Sequence, residues 1–91
     1  MEIGRVVLSP KVQERVRTDN AFAAFAFSSL DRHAAEDWGD VSEHDKSLSD
    51  DALRYGGPIL SSYIFPVDHT KIWIVTNVDC SLTTILFPDE Y

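Results

Sequence analysis

The sequence predicts a single α+β domain over residues 1–91, with two or three helices packed on a three-stranded antiparallel β-meander. Two observations carry this prediction. Apolar residues recur at helical spacing before Gly56 and alternate as in strands after Pro58. The connections between the later segments are short, and short connections join antiparallel strands, whereas parallel neighbours need a long crossover.

The N-terminal third predicts a short edge strand and two helices. An apolar run within residues 4–8 fits the strand, and Ser9-Pro10 then supplies an N-cap and a first-turn proline for a helix over 11–17. Thr18-Asp19-Asn20 caps a second helix over 21–35. One face of this helix carries Phe22, Phe25, Ala26 and Leu30, and Phe27 lies off that face, which predicts burial on a second side.

The middle of the chain predicts a turn followed by a third helix. Gly39 suits the turn because glycine adopts a positive φ at little cost. Ser42 begins a sequence that resembles a capping box, so we expect a helix over 43–55, which Gly56-Gly57-Pro58 would end. The apolar stripe expected to pack against the rest of the protein consists of Leu48, Ala52 and Tyr55, widened by Leu53.

The last third predicts the strands of the meander. They cover residues 59–65, 71–76 and 82–87, with turns between them. The middle strand is apolar on both faces, so one layer of helices would leave one face of the sheet uncovered. Trp73 lies among Ile and Val in this strand and is expected in the core.

Charge is the most unusual feature of the composition. The formal net charge is -7, and residues 31–51 carry eight acidic against two basic residues. Binding to a nucleic-acid backbone requires Lys and Arg that replace counterions, and anionic membranes also attract basic segments. We therefore expect neither direct nucleic-acid binding nor docking on a membrane.

The remaining global features predict a cytoplasmic protein. The N-terminus has no basic stretch followed by an apolar segment, and the longest apolar run, residues 21–27, is far shorter than the ~20 residues of a transmembrane helix. Cys80 is the only cysteine, so no disulfide forms within the chain. This combination is typical of a reducing compartment.

Two constellations could in principle carry chemistry. His33 and Asp37 have i, i+4 spacing, but zinc needs three or four ligands, and His44 or Asp45 would have to complete the set. Cys80, His69 and Asp79 have the residue types of a catalytic triad, yet no nucleophile elbow accompanies them. No glycine-rich phosphate loop is present either. We therefore expect no enzyme activity, no metal and no cofactor.

The acidic middle segment is the candidate partner-binding site, with a solvated helix face as the alternative. Trp38 lies within it and either clamps two helices together or forms an exposed anchor for a partner. The candidate residues are Glu36, Asp37, Trp38, Asp40, Glu43, Asp45, Asp50 and Asp51.

Three segments form a specific combination. They are RHAAEDWGD at 32–40 with Asp45-Lys46, GPILSSY at 57–63, and TKIWIVT at 70–76 running on to TTILFPDEY at 83–91. Together, over about residues 28–91, they resemble a family of short bacterial proteins carried on plasmids and integrated mobile elements. The chain departs from that pattern at 77–81, where relatives tend to have a charged pair before serine. The resemblance implies no catalytic residues.

Small acidic proteins of mobile elements include inhibitors of restriction and CRISPR complexes. By this analogy we expect a non-enzymatic inhibitor whose acidic surface binds the basic groove of a complex that handles nucleic acid. The alternative is a small homodimeric structural or adaptor protein that associates through the uncovered face of its sheet.

Overall fold

A computed structural model describes all 91 residues and confirms the α+β class. The helices end within about one residue of their predicted bounds, and the strands lie where alternation placed them. The elements are β1 (Arg5–Leu8), α1 (Pro10–Thr18), α2 (Asn20–Ala34), α3 (Glu43–Tyr55), β2 (Ile59–Ile64), β3 (Lys71–Thr76) and β4 (Leu82–Leu86), followed by a 3₁₀ turn at Pro88–Glu90.

The sheet has four strands in the order β1-β4-β3-β2. β2, β3 and β4 form the predicted antiparallel meander. β1 pairs with β4 in parallel, so the complete sheet is mixed rather than a three-stranded antiparallel sheet. The parallel pairing is possible because all three helices intervene between β1 and β4 and supply the long connection that parallel strands require.

Helices α1 and α2 cover one face of the sheet and enclose the core. Phe22 of α2 meets the ring of Phe65 edge-on, with centroids 5.5 Å apart. Phe27 is 47% exposed, so the expectation that α2 is buried on a second side is wrong, because no further layer covers it. The buried apolar cluster consists of Val12, Phe22, Ala26, Tyr63, Phe65, Ile72, Ile74 and Ile85.

Local capping explains why each helix begins where the sequence predicts. The Ser9 hydroxyl accepts the Val12 N–H at the start of α1, and the Asp19 carboxylate accepts the Phe22 N–H at the start of α2. Ser42 caps α3 in the same way. Each cap satisfies an N–H that has no partner within its own helix. At the other end of α3, Gly56 has a φ of +92° and stops the helix.

Helix α3 lies along the outer edge of β2 instead of on the helical layer. Its only buried residue is Ser49, whose hydroxyl accepts the Leu60 N–H at 3.2 Å and donates to the Leu60 carbonyl at 2.9 Å. One serine side chain thus bonds both outward backbone groups of an edge-strand residue. These bonds fix α3 against the sheet and block further strand pairing at this position.

The apolar stripe of α3 is not buried as predicted. Leu48 is 53% exposed and Tyr55 77% exposed, because α3 faces a strand edge and the uncovered face of the sheet. Trp73 is also outside the core. It lies on the uncovered face and packs edge-on against Tyr91, with ring centroids 5.4 Å apart.

We predict that Ser49→Ala lowers the free energy of unfolding by about 1–2 kcal/mol, because it leaves the Leu60 N–H and carbonyl without partners. Urea denaturation measures the effect. Ser47→Ala is the matched control, since Ser47 is an exposed serine on the same helix and shares the change in helix propensity. Equal stability of the two variants would contradict this role of Ser49.

Candidate functional site

The loop between α2 and α3 runs beside β2 and positions the acidic segment. The Trp38 carbonyl accepts the Ser62 N–H at 3.0 Å, and the Asp40 N–H donates to the Ser62 carbonyl at 2.6 Å. This short bridge needs Gly39, which has a φ of +71°, because a Cβ there would lie 2.2 Å from the Ser62 carbonyl oxygen. The loop therefore has a defined path along the strand.

Trp38 is a buried clamp and not an exposed anchor. Its side chain is 3% exposed, and its ring meets that of His33 on α2 at 5.8 Å between centroids. Its indole N–H donates to the Asp50 carboxylate on α3 at 2.8 Å. The residue joins α2 to α3, so the alternative of an exposed anchor is wrong and the predicted clamp is confirmed.

Two further predicted site residues are engaged within the protein. The Asp37 carboxylate pairs with Arg32 at 2.8 Å and accepts the Gly39 N–H at 3.1 Å. The ion pair with Arg32 is the main reason that the pKa of Asp37 lies below its usual range. Asp40 lies 4.0 Å from the ammonium of Lys71, at the limit of an ion pair.

The other four carboxylates, those of Glu36, Glu43, Asp45 and Asp51, form no ion pair. The N-terminal arginines do not neutralise them. Arg15 pairs with Asp19 and Asp68, and Arg17 pairs with Glu14.

Arg5 and Arg54 form no ion pair either. The acidic segment therefore carries a negative charge that the fold leaves uncompensated.

The acidic side chains do not form one continuous face, because α3 separates them. On one side, a polar cleft of about 270 Å³ lies between the loop and the start of α3. On the other side, Asp45 and Asp51 border a second depression between α3 and the sheet. The first cleft is lined by Glu36, Asp37, Trp38, Gly39, Val41, Glu43 and Lys46.

The second depression, called here the α3 groove, is a feature that the sequence analysis missed. It has a volume of about 430 Å³ and a mainly apolar lining. The exposed stripe of α3 forms one wall, and Leu60 and Val75 on the uncovered face of the sheet form another. The amphipathic pattern of α3 was the available signal, but it was assigned to the core. The lining residues are Asp45, Leu48, Ser49, Asp51, Ala52, Tyr55, Gly56, Gly57, Pro58, Leu60, Val75 and Tyr91.

His33 is fully buried and belongs to a chain of side-chain hydrogen bonds. Its Nδ1 lies 2.5 Å from the Ser61 hydroxyl and its Nε2 lies 2.8 Å from the Thr76 hydroxyl. The Thr76 hydroxyl lies 2.7 Å from that of Thr83, which donates to the Ile3 carbonyl at 2.6 Å.

These contacts determine which imidazole nitrogen carries the proton. The Thr83 hydroxyl donates its proton to the Ile3 carbonyl, so it must accept a hydrogen bond from the Thr76 hydroxyl. Because Thr76 has then donated its only proton, it accepts from Nε2–H of His33. Nδ1 then accepts from Ser61. The side chains of His33, Ser61, Thr76 and Thr83 are all buried, so this network supports the fold.

The two constellations considered for chemistry are not assembled. His69 lies in the turn before β3, whereas Asp79 and Cys80 lie in the turn after it, at the opposite end of that strand. His33 is enclosed in its network, while Asp37 is exposed on the loop. No three His, Cys, Asp or Glu side chains lie close enough together to hold a metal ion.

Comparisons with family models, with curated proteins and with solved structures each find no match to this chain. Among the helices, none combines the length and the apolar character that a membrane crossing requires.

We predict that the free energy of unfolding falls by up to about 3 kcal/mol as the pH drops from 6.5 to 4, because of His33. Burial, aided by the nearby amino-terminal charge, lowers the pKa of His33 from 6.5 to about 4. Between these pH values His33 binds a proton in the unfolded chain but not in the folded protein, so acid favours unfolding. Urea denaturation across the pH range measures the loss.

His33→Gln should be less stable at neutral pH and should show a flatter dependence between pH 4 and 6.5. His44→Gln replaces an exposed imidazole and is the matched control, with the slope of the unchanged protein expected. Asp68, whose pKa is lowered to about 2, adds its own loss of stability below about pH 5, and this loss is common to both variants. An unchanged slope in His33→Gln would contradict the assignment.

Proposed function

We propose that this protein is a non-enzymatic binding protein that recognises a basic protein surface through the acidic loop and helix α3. The observation that carries the proposal is the set of uncompensated carboxylates of Glu36, Glu43, Asp45 and Asp51 on a fixed scaffold. A partner that brings Lys and Arg to them replaces solvent with complementary charge, which speeds encounter and selects the partner.

Rigidity of the scaffold supports this function over that of a merely solvated helix face. The Trp38–Asp50 bond ties the loop to α3, and Ser49 ties α3 to β2. The carboxylates therefore project from a fixed backbone, so their binding costs less conformational entropy than it would on a mobile segment.

The resemblance to proteins of mobile elements indicates which partner to test first. A CRISPR or restriction complex has a basic groove that holds nucleic acid, and a compact acidic protein has the charge to occupy such a groove. The proposal places the protein in the cytoplasm, where such complexes act, and it involves no direct contact with nucleic acid or membrane.

We predict that affinity for a purified complex of this kind weakens steadily as the salt concentration rises, since ions screen exposed charges. Reversing three free carboxylates together (Glu36→Lys, Glu43→Lys and Asp51→Lys) should weaken binding at least about tenfold at low salt. Surface plasmon resonance over a salt series measures both effects.

The matched control is Glu2→Lys, which reverses an exposed carboxylate outside the acidic segment. This variant should bind as the unchanged protein does. Binding that is insensitive to salt, or that survives the triple reversal, would refute the proposal.

The uncovered face of the sheet favours a second candidate function, that of a homodimeric adaptor. Val7, Ile64 and Leu82 on this face are all more than one-third exposed. Burying them against a second copy would stabilise a small domain of this size. This candidate predicts that light scattering at high concentration shows a dimer and that Val7→Lys dissociates it. A monomer at all concentrations would exclude this candidate.

A further inference from the structure

We propose that the α3 groove binds a cationic amphipathic segment of the partner protein, in which Lys or Arg residues flank an apolar face. The inference rests on the proposed function and specifies where the partner is anchored. The groove has the volume of a ligand site and is lined mainly by apolar atoms. The surrounding fold neither fills nor covers it.

The walls of the groove match the apolar face of such a segment. Leu48 and Ala52 on α3 stand opposite Leu60 and Val75 on the sheet. Leu48 is more than half exposed, whereas the other three side chains are partly buried. A helix or strand of a partner that places Leu, Ile or Phe here would bury apolar surface from both walls.

The charged and aromatic rim selects a basic segment. Asp45 and Asp51 are the only charged side chains in the lining. Tyr55 and Tyr91 lie in the same lining and are each 77% exposed. Tyr91 also packs edge-on against Trp73, but both rings keep exposed surface that a cation can contact. Arg54 lies 5.9 Å from the Tyr55 ring but outside the lining. An acidic or neutral segment would gain the apolar contact without the electrostatic one.

The experiment uses the complete chain and two fluorescently labelled probes. One is a short amphipathic helical peptide of leucine and lysine, and the other has glutamate at every lysine position. Anisotropy measures affinity, and amide chemical shifts locate the binding site. We expect the lysine peptide to bind, with shifts at Leu48, Ala52 and Val75, and the glutamate peptide to bind at least about tenfold more weakly.

Matched variants separate the groove from the rest of the acidic surface. Leu48→Gln should weaken binding of the lysine peptide about tenfold, whereas Leu53→Gln, on the same helix but outside the lining, should not. Asp51→Asn should weaken it several-fold, whereas Glu43→Gln, in the other cleft, should have little effect.

Other outcomes would overturn the inference. Equal binding of both peptides would show a groove without charge selection, and absence of binding would show that it holds no such segment. If Glu43→Gln weakened binding of the lysine peptide and Leu48→Gln did not, the peptide would bind in the other cleft. That result would contradict this inference but not the proposed function. Self-association reversed by Leu48→Gln would identify a second copy as the occupant. Only the salt series with the triple reversal decides the proposed function itself.

Discussion

The outward backbone groups of strand β2 are the constraint on which the acidic half of the molecule depends. An edge strand that leaves its N–H and carbonyl groups unpaired invites association with other chains. Here Ser49 bonds both groups of Leu60, and the loop at Trp38–Asp40 bonds both groups of Ser62. Covering this edge brings α3 and the loop to their positions, and with them the carboxylates they carry.

The carboxylates of this segment divide into those that bond to groups within the protein and those that do not. Asp37 holds Arg32 and a turn N–H, and Asp50 holds the buried Trp38 indole, so both are engaged in building the scaffold. The free carboxylates satisfy no group inside the protein. Glu43 and Asp45 lie in the first turn of α3, where the helix dipole favours negative charge, but no side chain pairs with them. Asp37 and Asp50 thus stabilise the segment, whereas the free carboxylates stay unpaired.

Features set by local chemistry could be predicted from the sequence, and features set by distant contacts could not. The helix starts followed from Ser9, Asp19 and Ser42, because a cap acts within three residues of itself. The parallel pairing of β1 with β4 joins residues about eighty positions apart, and no local pattern reports it. The hydrogen-bond network of His33 could not be predicted from the sequence either, because its hydroxyl groups come from three different strands.

The candidate site illustrates the same limit more sharply. The helical period of α3 correctly identified an apolar stripe, but periodicity indicates which side of a helix is apolar and not whether anything in the chain packs there. For Trp38 the sequence left two alternatives open, a clamp between helices and an exposed anchor, and only the burial of its ring between α2 and α3 decides for the clamp.

The negative charge at the rim of the α3 groove helps to explain why the apolar stripe of α3 can stay exposed without causing self-association. Two copies that met groove to groove would bring Asp45 and Asp51 of each together, and like charges in a desolvated contact are costly. The aspartates therefore oppose self-association through the apolar lining while leaving it open to a cationic partner. Under the proposed function, the apolar lining would provide affinity and the carboxylates would determine which chain binds.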